Sequence, residues 1–124
     1  MSYRSYLPKR GDLVHMNFSP SAGREMADRH YALVLSADEY NRRAGMAIVC
    51  PITSRVRGWP FEVPVPAGYL PPKAGLEVLS VVIADAVRQV DFREREVQFI
   101  VKAPAALLDE VLERLLPIID VTGG

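Results

Sequence analysis

The chain has 124 residues, 49% of them hydrophobic and 24% charged, with a formal net charge of zero. That length suits one domain, residues 1–124, with a substantial core, and the balance excludes disorder. No run approaches the roughly 18 apolar residues of a membrane helix, Met1–Tyr6 lacks the apolar segment of a signal peptide, and the lone Cys50 cannot form an internal disulfide, so a cytoplasmic protein is expected.

Charge is spread unevenly. Residues 1–60 hold nine Lys/Arg against five acids, and the remainder carries the compensating acidic excess. A polyanion can bind a basic loop face locally although the whole molecule does not attract it at long range. An ordinary mixed surface is the alternative.

In chain order, Pro8–Asp12 is a turn and Leu13–Phe18 a strand. Alternation places Val14, Met16 and Phe18 on one face and Leu13, His15 and Asn17 on the other. A polar loop, Ser19–Asp28, separates this strand from a second, His30–Ser36. Asp38–Arg43 reads as a turn or short helical turn closed by Gly45. Met46–Ile52 is nearly all apolar and is expected to be a central strand buried on both faces. Pro51 cannot donate to a ladder, so regular pairing is expected to fail there, just before Thr53-Ser54.

Arg55–Gly58 is a basic turn. Trp59–Val65 reads as an edge strand, Pro66–Gly75 as a loop, and Leu76–Ala84 as a second buried strand. Asp91–Glu96 is a charged connector before a last short strand, Val97–Val101. Pro104 opens a helix, with Ala105, Leu108, Val111, Leu112 and Leu115 forming its apolar stripe and Pro117 limiting its continuation. Five or six strands without helical crossovers, followed by one helix, point to a small, strongly curved β-barrel or half-barrel.

Several chemistries lack their residues. One Cys and two His, with no C-x-x-C or H-E-x-x-H pattern, do not make a metal site. No glycine-rich phosphate loop and no nucleophile elbow occur, and no cofactor is implied. What remains is Arg, His, Thr/Ser and carboxylates on loops. That set suffices for RNA cleavage, because the ribose 2′-OH is itself the nucleophile. The protein must supply proton transfer and cationic or hydroxyl donors for the charged phosphorane. His30 suits proton transfer near neutrality, Arg29 can clamp phosphate oxygens, and Thr53 and Ser54 can donate hydrogen bonds. A packed polar sheet end is the competing reading of the same residues.

An ordered series of motifs then adds a resemblance. Gly11-Asp12-Leu13, Asn17-Phe18-Ser19-Pro20, Gly23-x-Glu25, Ala32–Ser36, Pro51–Ser54, Gly58–Val63 and Asp85-x-x-Arg88 with Phe92-Arg93 together resemble the MazF/PemK (Kid) family of toxin endoribonucleases over roughly residues 7–116. The resemblance implies a mainly β fold with α, an SH3-like barrel of the CcdB/PemK type with a C-terminal helix. It also implies a homodimer, sequence-selective cleavage of single-stranded RNA or mRNA without metal, and a MazE-like antitoxin partner. The family usually has Arg-Pro before the apolar strand, and that arginine is its main catalytic residue. Here those positions hold His30 and Tyr31, with Arg29 one residue early. Three options stay open: His30 acts in the arginine's place with Arg29 reaching in, a bulge re-aims Arg29, or the site is impaired.

The threonine position, Thr53, is intact. Glu25 and Asp85 match acids that the family uses near its RNA. Ala86 stands where glutamine is common. Ser54, Arg55, Arg57 and Arg88 complete the expected substrate contacts. Trp59 and Phe61 are expected in core or interface packing rather than base stacking. The non-enzymatic alternative is a binding module similar to the CcdB toxins, which act on DNA gyrase.

Overall fold

The computed structural model describes residues 6–18 and 29–120. Along the chain run β1 (Asp12–Asn17), β2 (Arg29–Val34), α1 (Asp38–Ala44), β3 (Ala47–Thr53), β4 (Glu62–Pro64), β5 (Val81–Ile83), β6 (Arg88–Val90), β7 (Gln98–Lys102) and α2 (Ala105–Ile119). Every pairing is antiparallel, in the order β4-β5-β3-β2-β1-β7, with β6 also on β3. The sheet curls without closing, since β4 and β7 remain edges.

The period-two alternation read from β1, which β2 follows, separates two cores. On one face Leu13, Leu33, Leu35, Cys50 and Ile52 pack with Leu107, Val111 and Leu115 of α2. On the other, inside the curl, Val14, Met16, Phe18, Ala32, Val34 and Val49 meet Val90, Phe92 and Val97. The mainly β, helix-capped class expected from the sequence is the class found.

Tight local geometry sets the entry to β1. Gly11 has φ +90°, a conformation that side chains rarely adopt. Its N–H donates to Val34 O and its carbonyl accepts from Ala103, tying β2 and the approach to α2 together. At the far end of β2, the buried Asn41 of α1 donates to Pro8 O and Ser36 O and accepts from Ser36 Oγ. Ser36 Oγ in turn accepts from Ile48 N. Helix α1 thereby pins the start of β3 against the end of β2, and Gly45 at φ 67° ends that helix.

Several expectations need correction. The strand read at Leu76–Ala84 is only Val81–Ile83; Leu76 and Leu79 are 70% and 61% exposed, on a loop with no ladder to bury them. Trp59–Val65 is paired only over Glu62–Pro64.

Pro51 does not interrupt β3, which stays in register with β2 through Ala32↔Pro51 and Tyr31↔Ile52. Leu35 N donates to Ile48 O, so alternation turns the backbone of residue 51 away from β2. On that side β6 pairs residues 47–49 and β5 pairs 52–53. The missing donor therefore falls in the gap between two partners.

In α2, Leu107 rather than the exposed Ala105 is buried, and the helix runs through Pro117 to Ile119. Pro104 is its N-cap rather than its first residue. No helix among the described residues is long and apolar enough to cross a membrane.

Candidate active site

Two depressions meet at the ends of β2 and β3. The larger, a cavity of about 540 Å³, is lined by His30, Pro51, Thr53, Arg55, Arg57, Trp59, Glu62, Ile83, Ala86, Val87 and Arg88. The smaller, about 380 Å³, lies over the other face and includes His15, Arg29, Tyr31, Ser54 and Lys73. His30, Thr53 and Arg55 line both.

Register explains the division. The β2–β3 ladder pairs Ala32 with Pro51 and Tyr31 with Ile52, so one step further His30 faces Thr53. Both belong to the face that carries Ala32 and Val34 into the curl. Arg29 belongs to the opposite face. Its register with Asn17 is unbroken, without a bulge between β1 and β2, and its guanidinium donates to Glu96 at 2.9 Å. Arg29 and Glu96 are 37% and 47% exposed, so this pair is worth a few tenths of a kcal/mol to about 1 kcal/mol.

Thr53 is poised to donate. Its Oγ1 accepts from Arg55 N at 3.0 Å, which leaves the hydroxyl hydrogen for a second partner. Beyond it Ser54, Arg55 and Arg57 are exposed. Glu62, the acid of the larger cavity, accepts from the backbone N–H groups of Arg57 and Gly58 and so shapes the loop. Asp85 is exposed at the end of β5 and accepts from Trp59 Nε1 at 3.1 Å. Trp59 is 50% exposed with its ring 5.6 Å from Phe61, so it belongs to the wall of the groove and not to the core. The cavity therefore has a cationic rim and an aromatic side.

His30 sits edge-on to Phe18, with ring centroids 6.2 Å apart. The Arg88 guanidinium lies over the same ring, 5.2 Å from its centroid. His15, on the opposite face, packs 5.0 Å from Tyr31. Burial, then the positive charges of Arg29 and His30, hold its pKa below the usual histidine value. It is therefore a neutral polar wall near pH 7. No group of three or more His, Cys, Asp or Glu able to hold a metal occurs among the described residues.

This geometry has relatives. The model of PemK-like, MazF-like toxins of type II toxin–antitoxin systems matches residues 9–119. The chain belongs to that family. It is 37% identical to the endoribonuclease toxin MazF of Escherichia coli K12 over 90 residues, 73% of this chain and 74% of that one. The crystal structure of MazF from Deinococcus radiodurans superposes with a TM-score of 0.82 at 42% identity, covering 93% of this chain and 98% of its own. A MazE–MazF complex from the same organism gives 0.77 at 41% identity, with 94% and 99% covered.

For this MazF-like chain, the sequence-predicted residues divide as follows. The structure brings His30, Thr53, Arg55, Arg57 and Arg88 to one cavity, with Asp85 held at its edge through Trp59. Ser54 and Arg29 face the smaller depression. Glu25 and its loop, Ser19–Asp28, lie outside the described residues. Sequence reasoning missed Phe18 as the common seat of His30 and Arg88. Its place on the face of Met16 was legible, but its neighbour from β6 was not.

Proposed function

We propose that this chain is the toxin of a type II toxin–antitoxin pair and a sequence-selective endoribonuclease acting on single-stranded RNA, mRNA included. The observation that carries this reading is that His30 and Thr53 line one cavity with Arg55, Arg57 and Arg88. A phosphodiester there meets a proton-transfer group, a free hydroxyl hydrogen and guanidinium groups together.

The ribose 2′-oxygen attacks the adjacent phosphorus while the bond to the 5′-oxygen breaks. His30 takes the 2′-OH proton, and the leaving 5′-oxygen receives one from the same imidazolium or from water. Thr53 donates to a non-bridging oxygen of the phosphorane. Arg55, Arg57, Arg88 and the end of β5 at Asp85 hold the strand, and Ser54 and Glu25 are further contacts. The products are a 2′,3′-cyclic phosphate, or the 3′-phosphate it opens to, and a 5′-OH. No step asks for a metal ion. Arg29 sits on the far side of β2, in the smaller depression, paired with Glu96.

The active species is a cytoplasmic homodimer held in check by a MazE-like antitoxin. The Deinococcus radiodurans MazE–MazF complexes support that partner. The binding-module reading stays in play because His30 stands where the family's arginine is expected.

Incubating a long RNA with purified protein and EDTA tests the nuclease reading. Site-selective 5′-OH ends that vanish in Thr53→Ala support it; intact RNA at high protein concentration rejects it and leaves the binding module. Loss of activity in His30→Ala supports His30 as the proton-transfer group. An active His30→Ala beside an inactive Arg29→Ala overturns that role.

A further inference from the structure

We propose that Arg88 is a catalytic residue, the guanidinium that neutralises the scissile phosphate as its charge develops, in place of the arginine that the strand position of His30 no longer supplies. The inference rests on the nuclease reading above and changes the part Arg88 plays there, from a strand contact to a group that acts on the transition state.

Register puts Arg88 there. It lies opposite Val49 in the β3–β6 ladder, so its side chain shares the face of Val49, Pro51 and Thr53. The curl of the sheet then brings it over Phe18, the residue after the strand three places away, onto the ring that also seats His30. One aromatic side chain thus fixes a cation and an imidazole relative to each other. Arg29 cannot fill this place, because it projects from the other face and is held by Glu96.

The second observation is an unmet valence. Arg88 Nη1 is buried and has no hydrogen-bond partner. No carboxylate among the described residues pairs with Arg88, whereas Arg29, Arg42, Arg43 and Arg114 all have one. A buried donor left unpaired costs about 1–3 kcal/mol, and more for a charged group, so such a group in a native fold calls for an explanation. Here the guanidinium lines the same cavity as His30 and Thr53. The buried Nη1 shows the guanidinium held desolvated at the cavity wall, and the planar fork it belongs to suits two phosphate oxygens of an anion entering there. Because the donor is already desolvated and fixed, it strengthens as charge builds in the transition state.

The test compares wild type with Arg88→Met, which keeps a long stem against Phe18, and Arg88→Lys, which keeps the charge but not the fork. Single-turnover cleavage of an RNA oligonucleotide at saturating protein is measured beside the affinity for the same oligonucleotide with 2′-deoxyribose at the cut position. The expected loss in cleavage rate is about 10²–10³-fold for Arg88→Met. Arg88→Lys, which retains charge and packing and so guards against misfolding, loses about 10-fold or more.

Affinity for the uncleavable strand is expected to change by less than about fivefold in both variants. Arg42→Met, which removes a cation paired with Glu39 away from the cavity, cleaves like wild type. Cleavage within about threefold of wild type in both Arg88 variants overturns the proposal, as does an affinity loss equal to the rate loss, which makes Arg88 a strand contact only. Wild-type protein that leaves RNA intact overturns the nuclease reading itself, and this role with it.

Discussion

Asn41 offers the sharpest test of how the site is held, although it lies outside both cavities. It is fully buried, and its amide makes three hydrogen bonds: to Pro8 O at 2.7 Å, to Ser36 O at 3.1 Å and from Ser36 Oγ at 2.5 Å. Asn41→Ala removes all three and leaves two buried carbonyls to be satisfied elsewhere. At about 1 kcal/mol per bond, with an added penalty for the orphaned acceptors, the loss is about 3–4 kcal/mol. Alanine's better helix propensity returns about 0.5 kcal/mol.

Urea unfolding followed by circular dichroism reads the net loss of about 3 kcal/mol as a midpoint lowered by about 1.5–2 M. Because Ser36 Oγ also accepts from Ile48 N, the variant loosens the β2–β3 register that sets His30 opposite Thr53. Cleavage is expected to fail at a lower temperature than in wild type, and hydrogen exchange at Ile48 to quicken. A loss under about 1 kcal/mol shows that the polar cluster does not restrain α1, and the reasoning fails.

The other predictions are smaller. Gly11→Ala forces a Cβ into φ +90° and is expected to lower stability by about 1–2 kcal/mol, read by thermal melting; an unchanged melt refutes the strain argument. His15 has a folded pKa below its unfolded value, so the folded state binds protons less readily than the unfolded one. Stability is then full above pH ~6.5 and falls as pH drops through the folded pKa, and His15→Gln is expected to flatten that fall between pH 7 and 5. Cys50 is buried, and burial, with the charge of Asp85 behind it, pushes its thiol up to about 12. A disulfide reagent at pH 8 is expected to label it only at the rate of unfolding, rising with added urea; prompt labelling in buffer contradicts the burial.

The parts of the fold written in short-range pattern were readable in advance. The alternation of Leu13–Phe18 told which of its residues enter which core. The glycine at 45 marked the end of α1. The failures were non-local. Leu76, Val78 and Leu79 read as strand because they are apolar, yet burial needs a partner strand, and none lies beside them. Arg88–Val90 escaped notice because three residues, two of them polar, carry no periodicity; only its pairing with Ala47–Val49 makes it a strand. The stripe on α2 was misplaced by its first turn, where Leu107 turns inward in place of Ala105.

The candidate site divides in the same way. His30 and Thr53 could be placed at strand ends from pattern. Their facing one another, and the separation of Arg29 from them, depend on register across two strands. Arg88 entered through motif likeness alone; its contact with Phe18 is a product of sheet curvature, which no local stretch encodes.

The split neighbourhood of β3 bears on why there is a groove at all. A continuous strand alongside Cys50 and Pro51 would seal the sheet and leave nowhere for a ligand to lie. Here the ladder forks, with β5 taking one tine, β6 the other, and Ala84–Val87 arching between them. Any residue but proline at the fork would offer an N–H inviting a visiting chain or a shifted loop to zip the opening shut. The imino acid leaves that floor without a backbone donor, so what settles there answers to side chains and not to strand addition.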